Sequence, residues 1–187
     1  MPAGQQNCIR IIAGKWRGSK LNFAKVKAIR PTPDRVRETL FNWLAPDIQN
    51  AECLDLFTGS GGLAFESLSR GALSVVMCDS NNVIIKTLKD NADRLKANNA
   101  TILKCDALEF LRNNTKEFDI VFLDPPFNSN LLEESIEIFR DSHFLKPDAF
   151  IYIEADSNKE LPALPEHWVL HRNKKAGDVA YYLFKNS

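Results

Sequence analysis

Apolar and polar positions change their spacing along the chain near residue 50. Before it, residues 9–13 (IRIIA) and 19–23 (SKLNF) read as two short strands, and Gly14 to Gly18 supply turn residues between them, so a β-hairpin is predicted. The segment RPTPDRVRETLFNWL follows. Thr32 suits a helix N-cap, Pro33 the first helical position and Asp34 the first turn. Val36, Leu40, Phe41 and Leu44 then recur at helical spacing until Pro46 closes the element. After residue 50, apolar runs at 51–57, 72–79, 100–106, 118–124 and 149–155 predict strands. Helices are expected between them at 62–70, 82–97, up to about residue 112, and at 131–140, with Val83, Ile84, Leu88, Ala92 and Leu95 on one stripe of the second. Two last strands, 167–173 and 179–185, are joined by the turn-like KKAGD.

Continuous apolar strands separated by helices imply a mostly parallel sheet covered on both faces, an α/β fold of Rossmann-like type. The last two strands, with no helix between them, imply an antiparallel hairpin at one edge. A length of 187 residues fits one domain. The expected division is an N-terminal hairpin and helix extension over 1–48 and an α/β core over 49–187, with no internal repeat. No run of 18 apolar residues exists, and MPAGQQNCIR lacks the apolar centre of a signal peptide, so a cytoplasmic protein without membrane contact, and a monomer, is expected. Cys8, Cys53, Cys78 and Cys105 form no C-x-x-C pair, and His143, His167 and His171 are scattered, so no metal is expected. Glu154, ending the fifth strand, reads as a cap of the sheet.

Charge is distributed unevenly. The formal net charge is zero, yet the first forty residues hold nine basic side chains against Asp34 and Glu38. Such asymmetry suggests a nucleic-acid-facing arm on an acidic body; a solvated basic face is the alternative. Candidate contacts are Arg10, Lys15, Trp16, Arg17, Lys20, Arg30, Arg35 and Arg37. Lys15, Trp16 and Arg17 share the hairpin loop and suit phosphate contact and base stacking. Arg35 and Arg37 do not share a helical face, so one of them is left for an ion pair with Glu38 or the body. Trp43, late on the helix, reads as core.

The first strand–helix turn runs Asp55-Leu56-Phe57-Thr58-Gly59-Ser60-Gly61-Gly62. Glycines let the backbone turn tightly and approach a ligand, and open α/β sheets bind ligands at such strand ends. Asp79, twenty positions after Gly59, is placed to bond ribose hydroxyls, and Asp106 to orient an adenine amino group. The same spacing satisfies a dinucleotide fingerprint, so a nicotinamide enzyme stays open. Asp55 weighs against it, because a carboxylate beside the loop repels pyrophosphate and suits the sulfonium and amino groups of S-adenosylmethionine.

Asp124-Pro125-Pro126-Phe127 follows the fourth core strand. Two prolines make a rigid corner without N–H donors, leaving carbonyls to accept. An exocyclic amino group on a flipped base has two N–H bonds to satisfy. Asp124 can take one and the Pro125 carbonyl the other, while Phe127 stacks on the ring.

Together, the glycine loop and VFLDPPF at Val121 to Phe127 resemble the class I S-adenosylmethionine methyltransferases that act on amino groups. Over residues 9–185 the chain looks like the RsmD family, the bacterial 16S ribosomal RNA guanine N-2 methyltransferases. The arm segments RIIAGKWRGSKL and RPTPDRVRETLFNWL carry this finer resemblance, since the loop and tetrapeptide are shared with enzymes that methylate adenine in DNA. The resemblance implies a seven-stranded sheet, S-adenosylmethionine as cofactor with S-adenosylhomocysteine as product, and 16S RNA in a partly or fully assembled small subunit as partner. It assigns Asp55, Gly59 and Gly61 to the methionine part, Asp79 to the ribose, Asp106 and Ala107 to the adenine, and Asp124, Pro125, Pro126 and Phe127 to the target base. The chain departs from the family's pattern in having no net basic charge and no second acid beside Asp79.

Overall fold

In the computed structural model, which describes residues 7–24, 26, 31–141 and 143–187, the chain opens with two antiparallel strands, β1 (Cys8–Arg10) and β2 (Lys20–Asn22), pairing Ile9 with Leu21. Both are shorter than the apolar spacing predicts, because beyond Ile11 the backbone turns its N–H groups to the body. Helix α1 (Asp34–Trp43) comes next. Then strand and helix alternate: β3 (Glu52–Asp55), α2 (Gly62–Ser69), β4 (Ser74–Asp79), α3 (Asn82–Leu95), β5 (Ala100–Lys104), α4 (Ala107–Asn113), β6 (Phe118–Leu123), α5 (Leu131–Arg140) and β7 (Leu145–Asp156). The chain ends on β8 (Trp168–Ala176) and β9 (Val179–Asn186). No helix among the described residues is long and apolar enough to cross a membrane.

The large sheet has seven strands in the order β5-β4-β3-β6-β7-β9-β8. The first five are mutually parallel, and β9 runs antiparallel to both neighbours. The predicted edge hairpin is therefore present, with β9 inside and β8 at the rim. Successive strand residues point to opposite faces, and both faces are covered. Cys53, Met77, Ile120 and Phe122 pack with residues of α1, α2 and α3. Leu54, Cys78, Val121 and Leu123 pack with residues of α4 and α5. This two-sided burial is why the strands read as unbroken apolar runs. On α3 the buried stripe is Ile84, Ile85, Leu88, Asn91 and Leu95. Val83, expected on that stripe, is 57% exposed, because the helix begins at the Asn81 cap and turns its first residues outward.

The N-terminal hairpin lies along α2 and α3, held by polar contacts. Glu66, on α2 and fully buried, accepts the backbone N–H groups of Ile12 (2.8 Å) and Ala13 (3.0 Å). It also pairs with Arg70 (2.7 Å) and, more loosely, Arg37 (3.7 Å). At the end of α2, Lys15 donates its N–H to the Ser69 carbonyl (2.7 Å), and the Ser69 hydroxyl donates to Ala13 and accepts from Trp16. On α3, the Asn91 side chain accepts from and donates to the backbone of Asn22, extending β2 as a strand partner would. Trp43 stacks on Tyr181 at 5.5 Å, joining α1 to β9 as a core residue.

Two glycines of the hairpin loop separate backbone strain from docking. Gly14 and Gly18 share a φ of +81°, but a Cβ on Gly14 would lie 1.8 Å from the Ser69 carbonyl oxygen, whereas none meets anything within 4 Å at Gly18. Gly18→Ala should cost only the left-handed backbone strain, about 1 kcal/mol. Gly14→Ala should also undock the loop and cost about 3 kcal/mol. Urea unfolding of both variants measures the difference, and equal losses would mean the loop is not clamped to α2.

Candidate active site

Strand order reverses between β3 and β6, and the chain leaves them for opposite faces: to α2 on one, to α5 on the other. The crevice so created at the carboxyl ends of the strands is where α/β sheets bind ligands. Here it is a cavity of about 560 Å³, within the ordinary size range of small-molecule sites. Its walls include the glycine loop, the ends of β3, β4, β6 and β7, the start of α4, the tetrapeptide, and Pro31, Thr32 and Pro33 ahead of α1.

The loop is shaped by its own backbone. Gly59 (φ +49°) lines the cavity. At Gly61 (φ +78°) a Cβ would lie 2.7 Å from Leu88 and 2.9 Å from the Phe65 ring, so this glycine also lets α2 start close against α3. The Thr58 hydroxyl donates to the Asp55 carbonyl (2.8 Å), closing the turn from below.

Four acids stand in a row across the strand ends. Asp79 ends β4 and binds the loop itself, accepting the Gly59 N–H (3.2 Å) and the Asn81 N–H (2.8 Å). Burial raises its carboxyl above the usual range, against the bonds from the Asn81, Gly59 and Ser80 backbones. Asp55 ends β3, is 3% exposed, and is pushed up to about 7 by burial, while the Ala64 and Phe57 N–H groups hold it down and Asp79 and Glu154 add to the rise. Asp124 follows β6. Because Leu123 pairs with Ile153, Asp124 lies beside Glu154 of β7. Burial, then the charges of Glu154 and Asp55, lift Asp124 well above a normal carboxyl, and the Thr32 hydroxyl acts the other way. Glu154 accepts the Tyr152 hydroxyl at 2.8 Å and is 4% exposed. It lines the cavity wall, whereas its sequence position suggested only a cap. Nothing local distinguishes it, since its role comes from the lateral register of β6 and β7.

Asp106 lies two residues past β5 and caps α4, one carboxylate oxygen accepting the Leu108 and Glu109 N–H groups at 3.0 Å. Asp106 and the adjacent Ala107 both lie at the cavity wall. Thr32, expected as the α1 N-cap, does not cap it: Pro33 holds that position, and no side chain bonds the helix start. In the tetrapeptide, Pro125 is buried, and Phe127 is partly exposed in the wall. The Pro126 carbonyl, expected to stay open, accepts the Ser129 N–H (3.1 Å) and hydroxyl (2.6 Å), which fixes the loop leading to α5.

Among the described residues the cavity wall contains no lysine or arginine, but it contains Asp55, Asp79, Asp106, Asp124 and Glu154. Such a wall repels a pyrophosphate and fits a ligand carrying cationic and hydroxyl groups. The acids among these residues disfavour the nicotinamide alternative. No metal-ligating cluster occurs among the described residues.

The expected RNA-facing residues divide. Arg10, Lys15, Arg17, Lys20 and Arg35 are exposed. Trp16 is half-buried against the core with Lys15 over its ring at 5.4 Å. Arg37 is not on the surface: fully buried, it bonds the Arg10 carbonyl (2.9 Å) and Asp34 and faces Glu66, so it is the member of the Arg35–Arg37 pair that ties to the body. Arg30 lies outside the described residues. The hairpin tip meets the far end of α2 from the glycine loop. Eight helical residues separate them, about 12 Å.

The family described as conserved hypothetical protein 95 matches residues 9–185. Ribosomal RNA small subunit methyltransferase D of Escherichia coli (strain K12) is 47% identical over 177 residues, covering 95% of this chain and 89% of that protein. The protein of the same name from Haemophilus influenzae is 46% identical over 95% of this chain and 94% of its own. The solved structure of yhhF from Escherichia coli superposes with a TM-score of 0.90 at 44% identity, covering 97% of this chain and 99% of that one. The architecture is thus the Rossmann-like fold of class I methyltransferases, and the chain belongs to the conserved hypothetical protein 95 family, that of the RsmD small-subunit ribosomal RNA methyltransferases.

Proposed function

We propose that this protein transfers a methyl group from S-adenosylmethionine to the exocyclic N-2 amino group of a guanine in 16S ribosomal RNA, acting on a partly or fully assembled small ribosomal subunit in the cytoplasm. The observation that carries this reading is the shared cavity: the glycine loop of β3 and the Asp-Pro-Pro-Phe corner of β6 line one space whose described walls carry five acids and no lysine or arginine. Membership of a family whose relatives are named small-subunit ribosomal RNA methyltransferases supports the choice of RNA.

S-adenosylmethionine, when bound, supplies an electrophilic methyl group. Asp55 and the loop around Gly59 hold its amino-acid end, Asp79 its ribose hydroxyls, and Asp106 with Ala107 its adenine. Each carboxylate oxygen accepts more than one hydrogen bond, so the backbone bonds already made to Asp79 and Asp106 leave capacity. The target guanine must leave its stack to enter. Phe127 stacks on it, an interaction worth about 1–3 kcal/mol. Asp124 accepts one amino proton and the Pro125 carbonyl the other. An exocyclic amine is a poor nucleophile while its lone pair is delocalised into the ring. Two fixed acceptors favour a pyramidal nitrogen with that pair aimed along the reaction axis, so the chain contributes alignment and preorganised electrostatics. Arg10, Lys15, Arg17, Lys20 and Arg35 contact phosphates of the surrounding RNA.

Labelled methyl transfer to small subunits from cells lacking this activity is the direct test, with naked 16S RNA and DNA in parallel. The expected product is N-2-methylguanine in the RNA of the subunits. Asp124→Ala should lower the rate at least about 100-fold while S-adenosylhomocysteine binding persists. Label confined to DNA would replace this reading with adenine methylation.

Asp55 gives a pH dependence. A cationic amino group selects its ionised form, so S-adenosylhomocysteine affinity should rise as pH increases through about 7 and level off above, by calorimetry. Without ligand the sign reverses. The folded carboxyl titrates above the ordinary 3.8, so its share of stability is present at low pH and declines as pH rises toward 7. Asp55→Asn should flatten both profiles.

Charge reversal of Lys15 and Arg17 together should weaken subunit binding and reduce its salt dependence, with cofactor affinity unchanged. Unchanged subunit affinity at low salt would remove the hairpin tip from the interface.

A further inference from the structure

Four of the five acids in the described cavity wall hold a cofactor or base group in the proposed function; the fifth, Glu154, holds none. It is nevertheless buried in that wall. Glu154 and Asp124 directly follow Ile153 and Leu123, which are partners in the parallel ladder, so the two acids are lateral neighbours on strands about 4.8 Å apart. Two residues back on each strand, the rings of Tyr152 and Phe122 meet edge to face at 6.2 Å. Side chains alternate along a strand, so Glu154 and Asp124 emerge on that same side of the sheet. The Tyr152 hydroxyl donates to one Glu154 oxygen at 2.8 Å and fixes its orientation. A carboxylate has about four acceptor sites, of which this bond takes one. An uncharged acceptor would serve the hydroxyl alone with a smaller desolvation penalty than a second buried acid beside Asp124.

We propose that Glu154 selects guanine, its carboxylate accepting the ring N1–H of the flipped base while Asp124 and the Pro125 carbonyl hold the adjacent N-2 amino group. The inference rests on the guanine reading of the proposed function and deepens it. A flipped base is read by hydrogen bonds along its Watson–Crick edge. On guanine that edge presents N1–H directly beside the amino group, three N–H bonds in a row against three acceptors. Adenine and cytosine carry a ring-nitrogen lone pair beside their amino groups instead. Against Glu154 that lone pair meets another acceptor with no proton between them, and a site built for a donor rejects a base that lacks it. The Asp-Pro-Pro-Phe corner alone suits any exocyclic amino group. The acid on the next strand restricts it to one base.

The test uses small subunits rebuilt on 16S RNA that carries, at the guanine labelled by the parent protein, either guanine or 2-aminopurine. 2-Aminopurine keeps the amino group but has a lone pair where guanine has N1–H. Its missing O6 affects every protein alike, so a change of preference between proteins isolates N1. Single-turnover methyl transfer is measured for the parent and Glu154→Gln, with S-adenosylhomocysteine affinity and Tm alongside. The parent should prefer guanine by at least about 100-fold. Glu154→Gln keeps an oxygen for the Tyr152 hydroxyl and offers an amide N–H to the purine N1. Guanine should therefore slow by about tenfold and 2-aminopurine should speed up, with cofactor affinity unchanged. An unchanged preference, whether both rates stay or both fall, overturns the proposal and is the result expected of an acid that serves only Tyr152. If Glu154→Gln does not fold, Glu154→Ala is read by the same ratio and should lose the preference. No guanine labelled by the parent protein defeats the guanine reading and this proposal with it. Guanine labelled by the parent, with the same preference in the variant, defeats only the role of Glu154.

Discussion

Everything at the reaction centre depends on β3 and β6 lying side by side with their following chains departing to opposite faces of the sheet. Neither strand end can then be covered by the helix that follows the other, and a crevice is left between them. The register of the parallel strands fills this crevice with a lateral series of acids: Asp79, Asp55, Asp124 and Glu154 on β4, β3, β6 and β7. In isolation each would be an ordinary strand-end carboxylate. Burial raises the proton affinity of Asp55 and Asp124, and the neighbouring acids raise it further: Asp79 and Glu154 at Asp55, Glu154 and Asp55 at Asp124. The site is thus electrically prepared for a cationic ligand and an amine.

A second carboxylate organises the other half of the molecule. Glu66 is fully buried on α2, and a buried charge is tolerated only when paired and hydrogen-bonded. Its partners come from three elements: Arg70 on its own helix, Arg37 on α1, and the N–H groups of Ile12 and Ala13 in the hairpin. The N-terminal arm is consequently seated on the body by an electrostatic clamp beside the core contacts of Ile11 and Leu21. This clamp determines which basic residues face outward. Arg37 is drawn inside, while Arg35, two positions earlier on the same helix, stays exposed.

The clamp and the crevice are linked through α1 and α2. Gly62, which opens α2 at the glycine loop, is close to both Ile9 and Arg37: a Cβ there would come 2.9 Å from the Ile9 side chain and 3.4 Å from the Arg37 side chain. The hairpin runs from this point along α2 to Ser69, so its tip is carried away from the cavity. RNA that reached both the tip and the tetrapeptide would have to follow this side of the protein, and a folded ribosomal particle offers a surface of that extent.

The sequence by itself determined the periodic content of the fold: the alternating strands and helices, the parallel core, the edge hairpin, the glycine loop and the Asp-Pro-Pro-Phe corner. These are legible because burial on two faces, tight turns and rigid corners each demand particular residues at fixed local spacing. Tertiary structure alone decided the roles of Arg37, Thr32, Glu154 and Gly61. Local spacing presents Arg37 as one basic residue among nine, Thr32 as a helix cap, Glu154 as a strand end and Gly61 as a ligand-facing glycine. Their places are set by what lies opposite them across the fold: Glu66 for Arg37, the cavity for Thr32, the β6 corner for Glu154, and the pair Leu88 and Phe65 for Gly61. Contacts between residues far apart in the chain leave no periodic trace in either segment, so only the packed structure can specify them.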